Sequence, residues 1–464
     1  MAGIGFDLEK LLHGDSFIGA VRAHFYSVVI TAGPWILSIV TIFIITLAAP
    51  GNLDPFELVF FRTSIVYIFA TTLVVTAPLH YPLTRYLADK LYIGETYAVS
   101  PVFNSVMLAA FVIQTLIGAA IFMNTSVEPL IKILLVLICL VIAMIWLTMI
   151  FLTALKDYRA IFRAYALGSA VAAGGAILLG SRFGLAGYYA GYLAGHLLIA
   201  ALWSGRVFAE YPSPKLFEPE FFFYWTQSWQ LIGIGVFYNA AIWADKAVFW
   251  FSPEAMPVDG LLSTFPHYES AAFAAYLTII PGLSLFLMQI ETSFYREYRR
   301  YYAAIIAKTP LGAIEKNHNQ MAAVLRTSIG FLLRYQGIFS LLAIIFSPQI
   351  LAGAGLPLLL VPMFRVAVFG AFLHCFLLVT IILILYFDFK GTALLVTFIF
   401  FAANAGLTQL TLSLGSPFYG FGYLGAAFSA LLCSYYLLDR RFQQLAYYTF
   451  AAQPIGFHRD EEIV

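Results

Sequence analysis

Among the ionisable side chains inside long apolar runs of this sequence, five are the sharpest signals: Arg62, Asp245, Lys246, Glu291 and Arg365. A charge at the centre of a bilayer costs about 2.5–3.5 kcal/mol on insertion scales, so such groups face a bundle interior or a water-filled cavity. Their chemistry there is binding. A carboxylate holds a cation or a proton, and an ammonium or guanidinium holds an anion or a hydroxyl. The same residues could equally form interhelical ion pairs, and Lys246 could snorkel to an interface. Adjacent helix residues point about 100° apart, so Asp245 and Lys246 are expected to pair weakly with each other and to find partners on other helices. Tyr238 and Trp243 lie on the same run as Asp245, deeper than Tyr224, Trp225, Trp229 and Trp250, which suit interfacial anchoring. Aromatic bodies stack on sugar faces while their polar tips hydrogen-bond, although they also fill cores. These seven residues are the substrate-path candidates. His374, like His24, His80 and His196, reads as a hydrogen-bonded histidine within a bundle.

The elements that must carry these groups are membrane helices. Apolar residues make up 62% of the 464 positions and charged residues only 11%, against roughly 25% charged in a soluble domain. A crossing needs about 20 apolar residues. Twelve runs satisfy this, at roughly 22–49, 58–83, 101–123, 130–154, 160–180, 184–207, 227–251, 271–294, 327–349, 358–387, 391–414 and 418–438. Their connectors alternate in Lys and Arg. One set carries Arg85 and Lys90, then Lys156, Arg159 and Arg163, then Arg206 and Lys215. It continues with Arg296, Arg299, Arg300, Lys308, Lys316 and Arg326, then Lys390, Arg440 and Arg441. The other set holds Asp54, Glu57, Glu128, Glu254, Asp259 and Glu269 with almost no base. The positive-inside rule therefore places both termini of a multi-pass membrane protein in the cytoplasm. The first apolar run is too long for a cleavable signal peptide and is expected to persist as span 1.

The expected organisation is an amphipathic cytoplasmic segment at 1–21, where Ile4, Leu8, Leu11 and Leu12 recur at helical spacing. A first six-helix bundle follows at 22–209, then a proline-rich cytoplasmic linker at 210–226. A second six-helix bundle covers 227–438, including a basic cytoplasmic connector at 295–326, and a cytoplasmic tail covers 439–464. The connector suits a helix on anionic headgroups or a docking surface for a cytoplasmic partner. An even number of spans per half makes the halves parallel, related by a pseudo-two-fold axis along the membrane normal. Gly187, Gly191 and Gly195 line one face of span 6 with small residues. This suits close packing within a half or, alternatively, dimerisation.

Other chemistries lack their residues. Cys139, Cys375 and Cys433 lie singly in apolar runs, which argues against a disulfide framework or a zinc site. No HExxH, P-loop, GxSxG or paired CxxC occurs, so no catalytic residue, metal or cofactor is expected. One enzyme alternative survives, a polytopic glycosyltransferase using Asp54 and Glu57 in the first outward connector.

The opening Met1-Ala-Gly-Ile-Gly-Phe-Asp-Leu-Glu-Lys-Leu-Leu12, followed by Thr31-Ala-Gly-Pro-Trp-Ile-Leu-Ser38 in span 1, resembles the PelG family, polytopic inner-membrane components of bacterial Pel exopolysaccharide systems. That family is similar to the superfamily of Wzx-type flippases and MATE exporters. The resemblance implies an all-α fold of two six-helix bundles around a central cavity, carrying a nascent amino-sugar polysaccharide across the membrane. It also implies partners: a PelF-like cytoplasmic glycosyltransferase, a PelD-like cyclic-di-GMP receptor and a PelE-like membrane subunit, with no nucleic acid. A MATE-like ion-coupled antiporter or lipid-linked oligosaccharide flippase is the alternative within transport, with Asp245 as the coupling carboxylate.

Overall fold

The computed structural model describes residues 17–49, 51–155 and 158–451. Residues 1–16 of the expected amphipathic segment and 452–464 of the tail lie outside the described residues. Among the described residues the regular structure is helical apart from one hairpin. The first half contains α1 (Phe17–Ala48), α2 (Pro55–Tyr92), α3 (Val99–Phe122), α4 (Pro129–Leu155) and α5 (Tyr158–Glu210). A short α6 (Glu220–Gln227) leads into α7 (Trp229–Trp250), strands β1 (Met256–Asp259) and β2 (Leu262–Thr264), then α8 (Pro266–Leu277) and α9 (Ile280–Gln289). A π-helical turn, Ile290–Phe294, joins α10 (Tyr295–Ile306); α11 (Leu311–Ile345), α12 (Ser347–Gly353), α13 (Val361–Tyr386), α14 (Lys390–Ser413), α15 (Phe421–Gln443) and α16 (Leu445–Phe450) complete the second half.

Ten stretches among the described residues are long and apolar enough to cross a membrane. One of them, Ala160–Glu210, doubles back at Gly184 (φ 57°, ψ −142°) and so carries spans five and six. With α1, whose described side chains include the apolar Ile36–Ala48, the layout is twelve-spanning. Positive φ is open to glycine without steric cost, so this turn needs no loop.

The span 5–6 hairpin explains the glycine stripe. A Cβ on Gly187, Gly191 or Gly195 would overlap the backbone of Leu179, of Gly175 and Ala176, or of Ala172 and Gly168, respectively. The small faces meet within one half, leaving this stripe covered rather than offered to a second copy.

The two largest hydrophobic cores fall one to each half, the first built on residues such as Phe61, Val102, Leu147 and Tyr189, the second on Leu332, Leu377, Phe400 and Ala430, with three smaller clusters beside the second. The halves meet along two seams, α2 against α7 and α1 against α9. Under a two-fold exchange, spans 2 and 7 map onto spans 8 and 1, so each seam is the image of the other. Packing inside the halves repeats in the same way: α4 on α2 and α3 in the first, α13 on α8 and α11 in the second. This is the parallel-repeat arrangement.

Span 8 departs from a single 271–294 helix. Pro281 has no N–H and its ring clashes with the carbonyl four residues back, that of Leu277, and the helix breaks over Thr278 and Ile279. The freed carbonyl of Thr278 accepts Gln336 Nε2 from α11 at 2.8 Å. In α2, Pro82 likewise leaves the Pro78 carbonyl without a partner, and Trp225 Nε1 from α6 donates to it at 2.9 Å. The helix there stays continuous.

Connectors of like charge gather at common ends. At the basic end Arg85 lies 4.0 Å from Asp388 and Lys90 lies 2.6 Å from Glu95 and 3.8 Å from Glu220. The 295–326 stretch is mostly helical, α10 followed by the start of α11. Glu297 pairs with Arg300 at 2.9 Å, and Tyr298 OH reaches the Tyr386 carbonyl. At the base-poor end the β1–β2 hairpin lies across the molecule from the second half to the first. Asp259 accepts Ser126 N at 2.7 Å and Ser126 Oγ at 3.1 Å. Tyr67 of α2 stacks on Trp250 of α7 at 4.4 Å and bonds the Ser263 backbone. Gly260 (φ +57°) forms the tip; a Cβ there would press on the Asn124 carbonyl at 3.1 Å.

Candidate functional site

α7 presents two faces. Trp243, Ala247 and Trp250, at i, i+4 and i+7, pack against the core of the first half. Ala241, Asp245 and Phe249, at i, i+4 and i+8, are fully buried in the second half. The chain thus aims a carboxylate into its own bundle and turns indoles to the seam.

Around Asp245 the second bundle builds a closed polar network. Tyr268 OH of α8 donates to Asp245 Oδ2 at 2.7 Å, and Asn404 Nδ2 of α14 donates to Oδ1 at 3.3 Å and to the Ala241 carbonyl at 2.7 Å. Thr408 Oγ1 donates to Asn404 Oδ1, fixing which way the amide faces. Lys246 Nζ donates to both carboxylate oxygens, at 3.0 and 2.8 Å. The expectation of only weak pairing between these neighbours is therefore corrected. Their Cα–Cβ bonds do diverge, but the four-carbon lysine stem folds back beside its own helix, where Nζ also meets the Ile242 carbonyl at 3.1 Å. Tyr276 OH accepts from Nζ at 3.3 Å, and the Tyr276 ring lies 4.4 Å from it. Beyond Lys246, the ring of Tyr423 on α15 is 5.7 Å away, and its hydroxyl bonds His374 Nδ1 at 2.9 Å. The other His374 nitrogen, Nε2, bonds Tyr238 OH at 3.2 Å.

This arrangement is electrically neutral and fully hydrogen-bonded at its charged members. Asp245 receives four bonds and Lys246 uses each of its three donors. A buried pair so satisfied is costly to halve: removing one partner strands the other charge, at about 3–5 kcal/mol.

Trp243 stands apart from the network, 6.0 Å from Trp250 at the seam between halves, and its buried Nε1 has no hydrogen-bond partner among the described residues. Arg62 is exposed near the base-poor end of α2 and has no ion-pair partner among the described residues. Arg365 is also exposed, and its Nε donates to the Ile344 carbonyl at 3.2 Å and Ser347 Oγ at 2.8 Å, capping the end of α11. Glu291 belongs to the π-helical turn, but its side chain lies outside the described residues. The structure thus brings Tyr238, Asp245 and Lys246 together and leaves Arg62, Arg365 and Trp243 outside the network.

Sequence reasoning missed Tyr268, Tyr276, Asn404 and Tyr423 as partners. Asn404, a lone amide in Phe-Ile-Phe-Phe-Ala-Ala-Asn-Ala-Gly-Leu, was the one visible signal. Asp54 and Glu57, the pair behind the enzyme alternative, form a capping box on α2: Glu57 N donates to Asp54 Oδ1 at 2.8 Å and Asp54 N to Glu57 Oε2 at 3.0 Å. Among the described residues no group of three or more His, Cys, Asp or Glu could hold a metal.

Solved structures share this fold. A MOP superfamily transporter from Pyrococcus furiosus, described as having a binding pocket of reversed polarity, aligns at TM-score 0.60 and 12% identity, over 90% of this chain and 96% of its own. An outward-facing multidrug resistance MATE family transporter aligns at TM-score 0.58 and 12% identity, with the same coverage. A MATE protein in a bent conformation aligns at 0.57 and 13% identity, over 96% and 100%. No curated protein matches in sequence. The family model described as "PelG: Putative exopolysaccharide Exporter (EPS-E)" matches residues 1–450. With that match spanning nearly the whole chain, and with the fold shared with these structures, the chain belongs to the PelG family of exopolysaccharide exporters.

Proposed function

We propose that this chain is the membrane passage for a nascent Pel-type amino-sugar polysaccharide, moved across the bacterial inner membrane between two parallel bundles. The family match over residues 1–450 carries this reading. The seams support it, because a route between halves needs faces that part without unfolding either core. Each half keeps its own core. Trp243, Trp250 and Tyr67 at that seam have the flat, partly polar surfaces that stack on sugar rings.

In this reading the basic end faces the cytoplasm with both termini, where sugar-nucleotide donors are. The α10–α11 surface, with Arg296, Arg299 and Arg300 exposed beside Lys308 and Lys316, is then the docking place of a PelF-like glycosyltransferase. PelD-like and PelE-like subunits complete the assembly. The chain supplies the route, and polymerisation by a docked synthase supplies the push.

The test is to delete the gene for this chain in a polymer-secreting strain and measure polymer outside the cell. Secretion is expected to stop and to return on complementation; unchanged secretion sinks the proposal. The second reading, an ion-coupled antiporter of the MATE kind, is favoured by the shared fold. It requires Asp245→Asn to abolish gradient-driven uptake in vesicles. The direct pairing of Asp245 with Lys246 weighs against it, since the carboxylate already holds a cation.

A further inference from the structure

The ammonium of Lys246 sits in a shell of oxygens: Asp245 Oδ2 at 2.8 Å, Asp245 Oδ1 at 3.0 Å, the Ile242 carbonyl at 3.1 Å and Tyr276 OH at 3.3 Å. Carboxylate, carbonyl and hydroxyl oxygens are the donors that hold hard cations. The faces of Tyr276 and Tyr423, 4.4 and 5.7 Å from Nζ, add the attraction of aromatic rings for positive charge. The shell does not depend on the lysine for its shape. Asp245 is oriented from other helices by Tyr268 and Asn404, and Asn404 by Thr408. The walls come from α7, α8 and α15, whereas the occupant hangs from α7 alone on four methylenes.

We infer that Lys246 is the covalently tethered occupant of a monovalent-cation cage, which the native chain keeps filled without drawing Na⁺ or K⁺ from solution. Removing the side chain opens that cage to a diffusible cation. A buried carboxylate needs a counter-charge whenever it is ionised. A diffusible ion would supply it in proportion to its concentration and would stabilise the fold by mass action. A tethered ammonium is present at an effective concentration that bulk salt does not rival. The native fold is therefore indifferent to which alkali cation surrounds it. The inference holds whatever the cargo, and its test does not involve transport.

The experiment is thermal unfolding of the purified full chain in detergent, in equal concentrations of NaCl, KCl and choline chloride; choline is too bulky for the cage. The native protein is expected to melt at one temperature in all three. Lys246→Ala is expected to melt several degrees lower in choline and to recover in Na⁺ or K⁺. The neutral pair Asp245→Asn with Lys246→Ala is expected to show no salt preference. Equal destabilisation of Lys246→Ala in all three salts overturns the inference. So does a native protein stabilised by Na⁺ or K⁺ over choline, with the preference lost in the double variant. If Lys246→Ala does not accumulate, the native protein and the double variant still decide it.

Discussion

At the scale of single residues, the structure separates charges that look alike in sequence. Asp245 and Arg365 both interrupt apolar runs. Asp245 is completely buried and accepts four hydrogen bonds, while Arg365 is exposed and caps α11. Asp245→Ala should therefore strand Lys246 and cost about 3–5 kcal/mol. Arg365→Ala should cost only about 0.3–1 kcal/mol, the worth of a cation at a helix end. Thermal unfolding of the two variants checks this; equal losses would contradict the assignment. Gln336→Leu should cost about 1–3 kcal/mol, because the Thr278 carbonyl loses its donor inside the bundle. The sequence exposes which residues are expensive, since a charge in an apolar run is visible by type. It hides their partners. Tyr268, Asn404 and Tyr423 come from three other helices, and no local spacing links them to α7. It also misleads at Asp245 and Lys246, where backbone geometry alone ignores the reach of a lysine stem.

At the scale of elements, most of the fold was legible. Hydropathy and the alternation of bases located the spans because the bilayer demands both, and the glycine stripe on span 6 announced a close helix approach. What it met was decided by Gly184, whose positive φ folds span 6 back on span 5. Gly191→Leu should wedge that hairpin apart, since even a Cβ overlaps Gly175 and Ala176. Overpacking of this kind costs about 1–3 kcal/mol and here strikes backbone, so reduced yield and a lowered melting temperature are expected. The break in span 8 was less legible. Pro281 marked it, but the two prolines of α2, Pro78 and Pro82, left that helix continuous. The π-helical turn that follows had no sequence signal.

At the scale of the whole molecule, the two seams and the hairpin govern what can move. Each half has its own core, so the halves can shift as bodies while the contacts between them change. The hairpin belongs by sequence to the second half, yet its Leu262 is buried with the first, as is Trp250 at the end of α7. Separating the halves at the base-poor end must break Asp259 from Ser126 and unstack Tyr67 from Trp250. Cysteines placed at Ser126 and Asp259 and joined by a short bifunctional thiol reagent should stop polymer secretion, with single-cysteine controls unaffected. Undiminished secretion after quantitative joining would show that this end need not open.

That hairpin also bears on electrical insulation. A passage wide enough for a sugar polymer is wide enough for hydrated ions, and an idle one left ajar would short-circuit the membrane around it. Gly260 brings the hairpin tip against the Asn124 backbone, where an added Cβ would lie 3.1 Å from the carbonyl oxygen, so the hairpin leaves little space at this end. Cells carrying a chain in which residues 256–264 are replaced by a flexible linker should lose membrane potential even when no polymer is being made, a leak that a voltage-sensitive dye would register.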